Sequence, residues 1–220
     1  MSKAEKPKIA ILISGRGSNM ESIIGAVERA DIFGEIVLVA ANRPEAQGLQ
    51  TAKKAGIKTT IVDHTRFDTR EQFDSTLAET VAAVDPDLVI LAGFMRILSA
   101  VFVDQFQGRL MNIHPSLLPK YPGLNTHHRA IDNGDKFGGA TVHYVTSELD
   151  GGPPIIQGQV AISADDSAIS LQQRVLEIEH AIYPVAAQWH LERRLNLLGS
   201  EVLLDGNALP RTGFKWQSST

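Results

Sequence analysis

The sequence predicts an α/β fold: a mostly parallel sheet with helices on both faces and an antiparallel excursion in the C-terminal half. Three observations predict it. Short continuous apolar runs rich in β-branched residues, such as Ile9-Ala10-Ile11-Leu12-Ile13, have the composition of strands buried on both faces. Segments with apolar residues at helical spacing alternate with these runs through the first half of the chain. Two later strand-like runs, Ala140 to Val145 and Ile155 to Ile162, lie too close together for a helical crossover, so they are expected to pair antiparallel.

Each element has its own signal. The first strand spans Lys8 to Ile13, and the glycine loop Ser14-Gly15-Arg16-Gly17-Ser18-Asn19 follows at once. Met20, Ile23, Ile24 and Val27 then recur with a helical period. Ile36 to Ala41 is a second buried strand. A helix is expected over Pro44 to Ala55, closed by Gly56. Thr59 to Val62 is a third strand. Thr69-Arg70-Glu71-Gln72 has the form of a capping box and opens a helix whose stripe is Phe73, Leu77, Val81 and Val84. Asp87 to Ala92 is a fourth strand, and the loop after it, Gly93 to Leu98, is unusually apolar. A short helix over Ser99 to Gln105 leads to a fifth strand, Arg109 to His114. Leu171, Val175, Ile178, Ile182, Val185 and Trp189 mark one stripe of a long helix. Pro184 is expected to kink or split that helix and free the carbonyl near His180. Residues 1–7 and about 212–220 read as loose tails. The pattern is Rossmann-like, and without an internal repeat or linker the expected count is one domain over 1–220.

Bulk properties exclude several classes. The chain has 220 residues, 43% of them hydrophobic, enough for a full core. The net charge of −4 gives no basic footprint for nucleic acid. With no cysteine, disulfides and thiolate metal sites are impossible. No apolar stretch approaches the ~20 residues of a membrane span, and the start lacks the pattern of a signal peptide. The expectation is a soluble, cytoplasmic protein, a monomer or homodimer, without nucleic-acid or membrane partners.

Three constellations could carry chemistry. Glycines in Gly15-Arg16-Gly17-Ser18-Asn19 let the backbone approach an anion, and the helix start behind them supplies unpaired N–H groups, so a phosphate is the natural guest. The alternative is a tight turn with Ser18 as helix cap. The third glycine of a dinucleotide fingerprint is missing, and so is the lysine of a P-loop. Asn112-Ile113-His114-Pro115-Ser116-Leu117-Leu118-Pro119 ends a strand in an amide and an imidazole, both able to donate to an oxyanion. Glu148-Leu149-Asp150-Gly151-Gly152 puts a carboxylate on a freely bending loop, where His143 could orient it; an ordinary Asp-Gly turn is the alternative. Ser116 sits in no nucleophile elbow, and no H-x-x-x-H spacing supports zinc on His114, His143 and Asp150.

Ser14–Asn19, Gly93-Phe94-Met95-Arg96, Asn112–Pro119, His143, Asp150-Gly151-Gly152 and Glu179-His180-Ala181-Ile182-Tyr183-Pro184 occur together, in this order, across about residues 8 to 190. In these motifs the chain resembles the folate-dependent phosphoribosylglycinamide formyltransferases. The resemblance implies transfer of a formyl group from 10-formyltetrahydrofolate, as co-substrate and without a metal, to the glycine amine of 5′-phosphoribosylglycinamide in purine biosynthesis. It implies catalytic roles for Asn112, His114 and Asp150, with His143 in support. Asn112 and His114 would stabilise the oxyanion, and Asp150 would keep His114 protonated and assist proton transfer. It implies phosphate binding by Gly17, Ser18 and Asn19, ribose binding by Glu179, and a pterin pocket lined by Met95, Arg96, Ile97 and Leu98. Two departures stand out: a double proline, Pro153-Pro154, after the double glycine, and the form of Asn125-Thr126-His127-His128, so His127 and His128 are given no role. A formyltetrahydrofolate deformylase would carry a further N-terminal domain, and a methionyl-tRNA formyltransferase a C-terminal RNA-binding domain. A non-catalytic nucleotide-binding module would leave Asn112, His114 and Asp150 unexplained.

Overall fold

A computed structural model describes residues 5–217. In chain order its elements are β1 (Lys8–Ile13), α1 (Ser18–Glu28), β2 (Glu35–Ala41), α2 (Gly48–Lys54), β3 (Thr59–Ile61), α3 (Arg70–Ala82), β4 (Leu88–Leu91), α4 (Ala100–Gln105) and β5 (Leu110–His114). Then come α5 (Thr126–Asp132), β6 (Phe137–Tyr144), β7 (Pro154–Ala161), α6 (Ala168–Leu191), β8 (Leu195–Leu198), β9 (Glu201–Leu204), β10 (Asn207–Ala208) and β11 (Phe214–Trp216). The main sheet has eight strands in the order β11-β7-β6-β5-β4-β1-β2-β3. From β5 to β3 all pairings are parallel. β6 runs antiparallel to both β5 and β7, and the pairing with β7 is the one the short separation predicted.

The apolar runs are buried on both sides because each sheet face is covered. Ile9, Ile11 and Ile13 of β1 face the layer of α1 and α6, while Ala10 and Leu12 face α3 and α4. On that second face Phe73 and Leu77 of α3 are fully buried. Thr69 caps α3 by accepting the Gln72 N–H at 3.2 Å, as expected.

Four expectations need correction. The helix expected from Pro44 begins at Gly48. The Gly48 N–H donates to the Gly15 carbonyl at 3.0 Å, so it is not free to bond back to Pro44. Pro184 does not split its helix: α6 runs unbroken for 24 residues, started by a capping box of Ser167 and Ser170. The C-terminal stretch is not a loose tail throughout, because β11 pairs parallel with β7 and Phe214 packs edge-on to Trp189 at 5.4 Å. At the other end, the Pro7 carbonyl already accepts from Glu35 N–H at 2.8 Å, and residues 1–4 and 218–220 of the expected tails lie outside the described residues. The small antiparallel sheet β10-β9-β8 has no counterpart in the sequence expectation. No helix of the described residues is long and apolar enough to cross a membrane.

Candidate active site

The parallel strands β1, β4 and β5 end on one edge of the sheet, where ligands of open α/β sheets bind. The glycine loop leaves β1 there. Gly17 precedes α1 at φ 77°, a left-handed conformation open to glycine, and no side chain caps the helix. Ser18 is the first helical residue, so the alternative of Ser18 as cap falls away. The first helical bond is Glu21 N–H to the Gly17 carbonyl at 2.9 Å. The N–H groups of Ser18, Asn19 and Met20 therefore lack intrahelical acceptors, the arrangement that receives an anion.

Two residues outside the loop shape it. Asn19 donates its side-chain amide to Glu179 of α6 at 2.6 Å, so for an anion it keeps its backbone N–H. Gly48, at the start of α2, packs flat against the loop: a Cβ there would lie 2.9 Å from the Arg16 carbonyl oxygen and 2.7 Å from Ile13 Cδ1. That contact is not legible in the sequence, since nothing near Gly48 points to residue 15.

Glu179 is buried, and burial pushes its carboxyl up to about 7 against the opposing pull of the Asn19 bond. Apart from Asn19 it has no hydrogen-bond donor among the described residues. One turn further along α6, the buried Tyr183 hydroxyl lies 3.1 Å from the Leu91 carbonyl oxygen and 2.9 Å from that of Met111. It ties α6 to the end of β4 and to β5 beside Asn112.

β5 presents Asn112 and His114 on one face, opposite His143 and Thr141 of antiparallel β6. His143 Nδ1 lies 2.9 Å from the Tyr144 carbonyl, which can only accept, so Nδ1 carries the hydrogen. Burial pushes the pKa of His143 down, so the ring is neutral and its Nε2 accepts from Asn112 Nδ2 at 3.2 Å. His143 thus fixes Asn112 as a donor, whose other amide hydrogen has no protein acceptor among the described residues. By the same logic His114 Nε2 donates to the Tyr121 carbonyl at 2.9 Å. A second proton on His114 can sit only on Nδ1, which faces Asp150 Oδ2 at 3.4 Å. His143 Nε2 is 3.9 Å from Asp150 Oδ1, beyond hydrogen-bond range.

The turn that holds Asp150 is constrained. Asp150 has φ 51°, and its Oδ2 also accepts the Gly123 N–H at 2.8 Å. A side chain at Gly152 would collide with the Tyr144 carbonyl. The double proline fits: the Pro153 carbonyl accepts the Tyr144 N–H at 3.1 Å, and Pro154 opens β7 opposite His143 at a bulge. The structure therefore brings Asn112, His114, His143 and Asp150 into one cluster.

The apolar loop after β4 lies on the same edge. Met95 and Ile97 are exposed at 69% and 55%, whereas the Leu98 side chain is buried in the core under α3 and α4 and leaves only its backbone for a ligand. The Arg96 guanidinium stands 5.0 Å above the Phe73 ring. Met95 N–H donates to Ser14 Oγ at 2.8 Å, which joins this loop to the end of β1. Sequence reasoning missed Asp74, a fully buried acid on α3 that accepts the Ser99 N–H at 2.6 Å. It lies one position off the apolar stripe of α3, where a solvent-facing acid would look the same.

Known proteins share this architecture. The formyl transferase family matches residues 7–187. The phosphoribosylglycinamide formyltransferase of Escherichia coli is 48% identical over 206 residues, 94% of this chain and 97% of that protein. A trifunctional purine biosynthetic protein of Gallus gallus is 41% identical over 186 residues, 84% of this chain but 18% of that protein. The structure of phosphoribosylglycinamide formyltransferase from Coxiella burnetii superposes with a TM-score of 0.93 at 46% identity, covering 97% of this chain and 100% of that one. The chain belongs to the formyl transferase family, among its phosphoribosylglycinamide formyltransferases.

Proposed function

We propose that the protein transfers the formyl group of 10-formyltetrahydrofolate to the glycine amine of 5′-phosphoribosylglycinamide, in de novo purine biosynthesis. The observation that carries this reading is the pairing, on one sheet edge, of an uncapped helix start with an Asn–His–Asp cluster. The first suits the acceptor's phosphate and the second a tetrahedral oxyanion.

The attacking amine must be neutral. An α-amino group has a pKa of ~7.7–8.0, so roughly a tenth is neutral at pH 7. Its nitrogen bonds to the formyl carbon, and the carbonyl electrons move onto oxygen. The free Asn112 amide hydrogen and the Nδ1 hydrogen of protonated His114 stabilise that charge, with Asp150 as counter-charge to the imidazolium. The bond from carbon to the folate nitrogen then breaks. One proton leaves the attacking nitrogen and one reaches the departing nitrogen, passed through His114 Nδ1 and Asp150, so the enzyme ends as it began. Gly17, Ser18 and Asn19 hold the phosphate through backbone N–H groups, and Glu179 accepts ribose hydroxyls. Met95, Arg96, Ile97 and the Leu98 backbone form the pterin wall.

The test is acceptor dependence. The purified protein should convert the formyl donor to tetrahydrofolate only when the phosphorylated glycinamide is present. Turnover at a comparable rate without acceptor would instead mark a hydrolase.

A further inference from the structure

Asp74 is fully buried and has no cationic partner among the described residues. One of its oxygens accepts the Ser99 N–H at 2.6 Å, and the other is enclosed without a partner. A buried carboxyl group with half its acceptors idle is costly, and an isolated helix cap does not need one. Ser99 is the residue that caps α4, yet its own hydroxyl makes no cap bond and is also enclosed without a partner. The acceptor for the Ser99 N–H comes from a different helix, 25 residues earlier.

The position of Ser99 explains the arrangement. It ends the segment Met95–Leu98, whose start is fixed by the Met95 N–H on Ser14 Oγ and whose middle is held by Arg96 over Phe73. Phe73 and Asp74 are consecutive on α3, so this one helix holds both the middle and the end of the loop. Between these anchors the Met95 and Ile97 side chains stand in solvent.

We propose that Asp74 is a positioning residue for the formyl donor: by holding the Ser99 N–H it fixes the path of Met95–Leu98 and so sets donor affinity, without touching the reactants. This rests on the reading that the loop receives the donor. In steady-state kinetics with 10-formyltetrahydrofolate, Asp74→Ala should raise the donor KM by roughly tenfold or more. The acceptor KM, and kcat at saturating donor, should stay within about twofold. Asp74→Asn keeps an oxygen that can accept from Ser99 and should restore the donor KM. A purely structural role would lower the active fraction and leave both KM values unchanged, and that result would overturn the proposal. A parallel Ile97→Asp variant separates the two claims. If it raises the donor KM while Asp74→Ala does not, the role of Asp74 fails alone; if it too leaves the donor KM unchanged, the donor reading of the loop fails and the proposal with it. Should Asp74→Ala not fold, amide hydrogen exchange of the unaltered protein still decides. Ser99 should exchange far more slowly than Ile97, and equal rates would overturn the proposal.

Discussion

Two carboxylates of the candidate site, Glu179 and Asp150, have surroundings that differ in kind. Glu179 projects from a long helix into a packed layer and has one donor, the Asn19 amide. Asp150 sits on a left-handed turn with donors beside it: the Gly123 N–H and, when His114 is protonated, its Nδ1. The first is starved of partners, and burial holds it near pH 7. The second is supplied with them on a constrained turn. On the proposed reading Glu179 binds hydroxyls and can be left unsatisfied, because the ligand completes it, whereas Asp150 manages a proton and needs its neighbours present beforehand.

Removing the charge of Asp150 should give the largest effect. Asp150→Asn should lower kcat by roughly 10²–10⁴-fold, with KM values changed by no more than about threefold. Steady-state kinetics checks this, and near-normal kcat would take Asp150 out of proton transfer.

Glu179 should respond in the opposite sense for stability. Its carboxyl is raised from an ordinary 4.5 to about 7 in the folded chain. As pH rises, the unfolded carboxyl ionises first. The stabilising contribution is therefore full below pH 4.5 and is lost as pH climbs through about 7. That interval corresponds to roughly 3 kcal/mol when complete. Glu179→Gln should thus melt at higher temperature than the parent at pH 8, the gap closing near pH 4, while the acceptor KM rises. A parent protein equally stable at both pH values relative to Glu179→Gln would show that the carboxyl is not desolvated.

The smallest of the three effects sharpens the same contrast from the phosphate side. Gly48→Ala pushes a methyl group into the Arg16 carbonyl and Ile13. It should raise the acceptor KM by roughly tenfold and leave the donor KM alone. Equal changes in both KM values would mean that the glycine loop tolerates the shift and that the damage is general.

Much of the sheet was legible because buried parallel strands announce themselves as apolar runs, and Asn112 with His114 because polar residues end such a run before a proline. The double glycine after Asp150 marked a turn there, and an ordinary Asp-Gly turn would look the same, so its role came from the resemblance. Glu179 carried no local signal, since an acid on a long helix is ordinarily solvated, and only resemblance to a family gave it a role. Gly48, Asp74 and Tyr183 escaped altogether. Their meaning lies in contacts to Gly15, Ser99 and the Leu91 and Met111 carbonyls, across sequence separations that no periodicity encodes. The start of α2 was misplaced for the same reason: a carbonyl 33 residues away takes the N–H that would have begun the helix earlier.

The short strand β11 has a practical consequence for handling the protein. It covers Ile156 to Gly158 of β7, and Gly213 fits tightly over the Ile155 carbonyl. A chain shortened before Thr212 would present that row of N–H and C=O groups, flanked by the apolar Ile155 and Ile156, as a bare sheet edge. Such an edge is a template for chain-to-chain pairing, so C-terminal trimming invites aggregation during expression and storage even though it removes none of the candidate site residues.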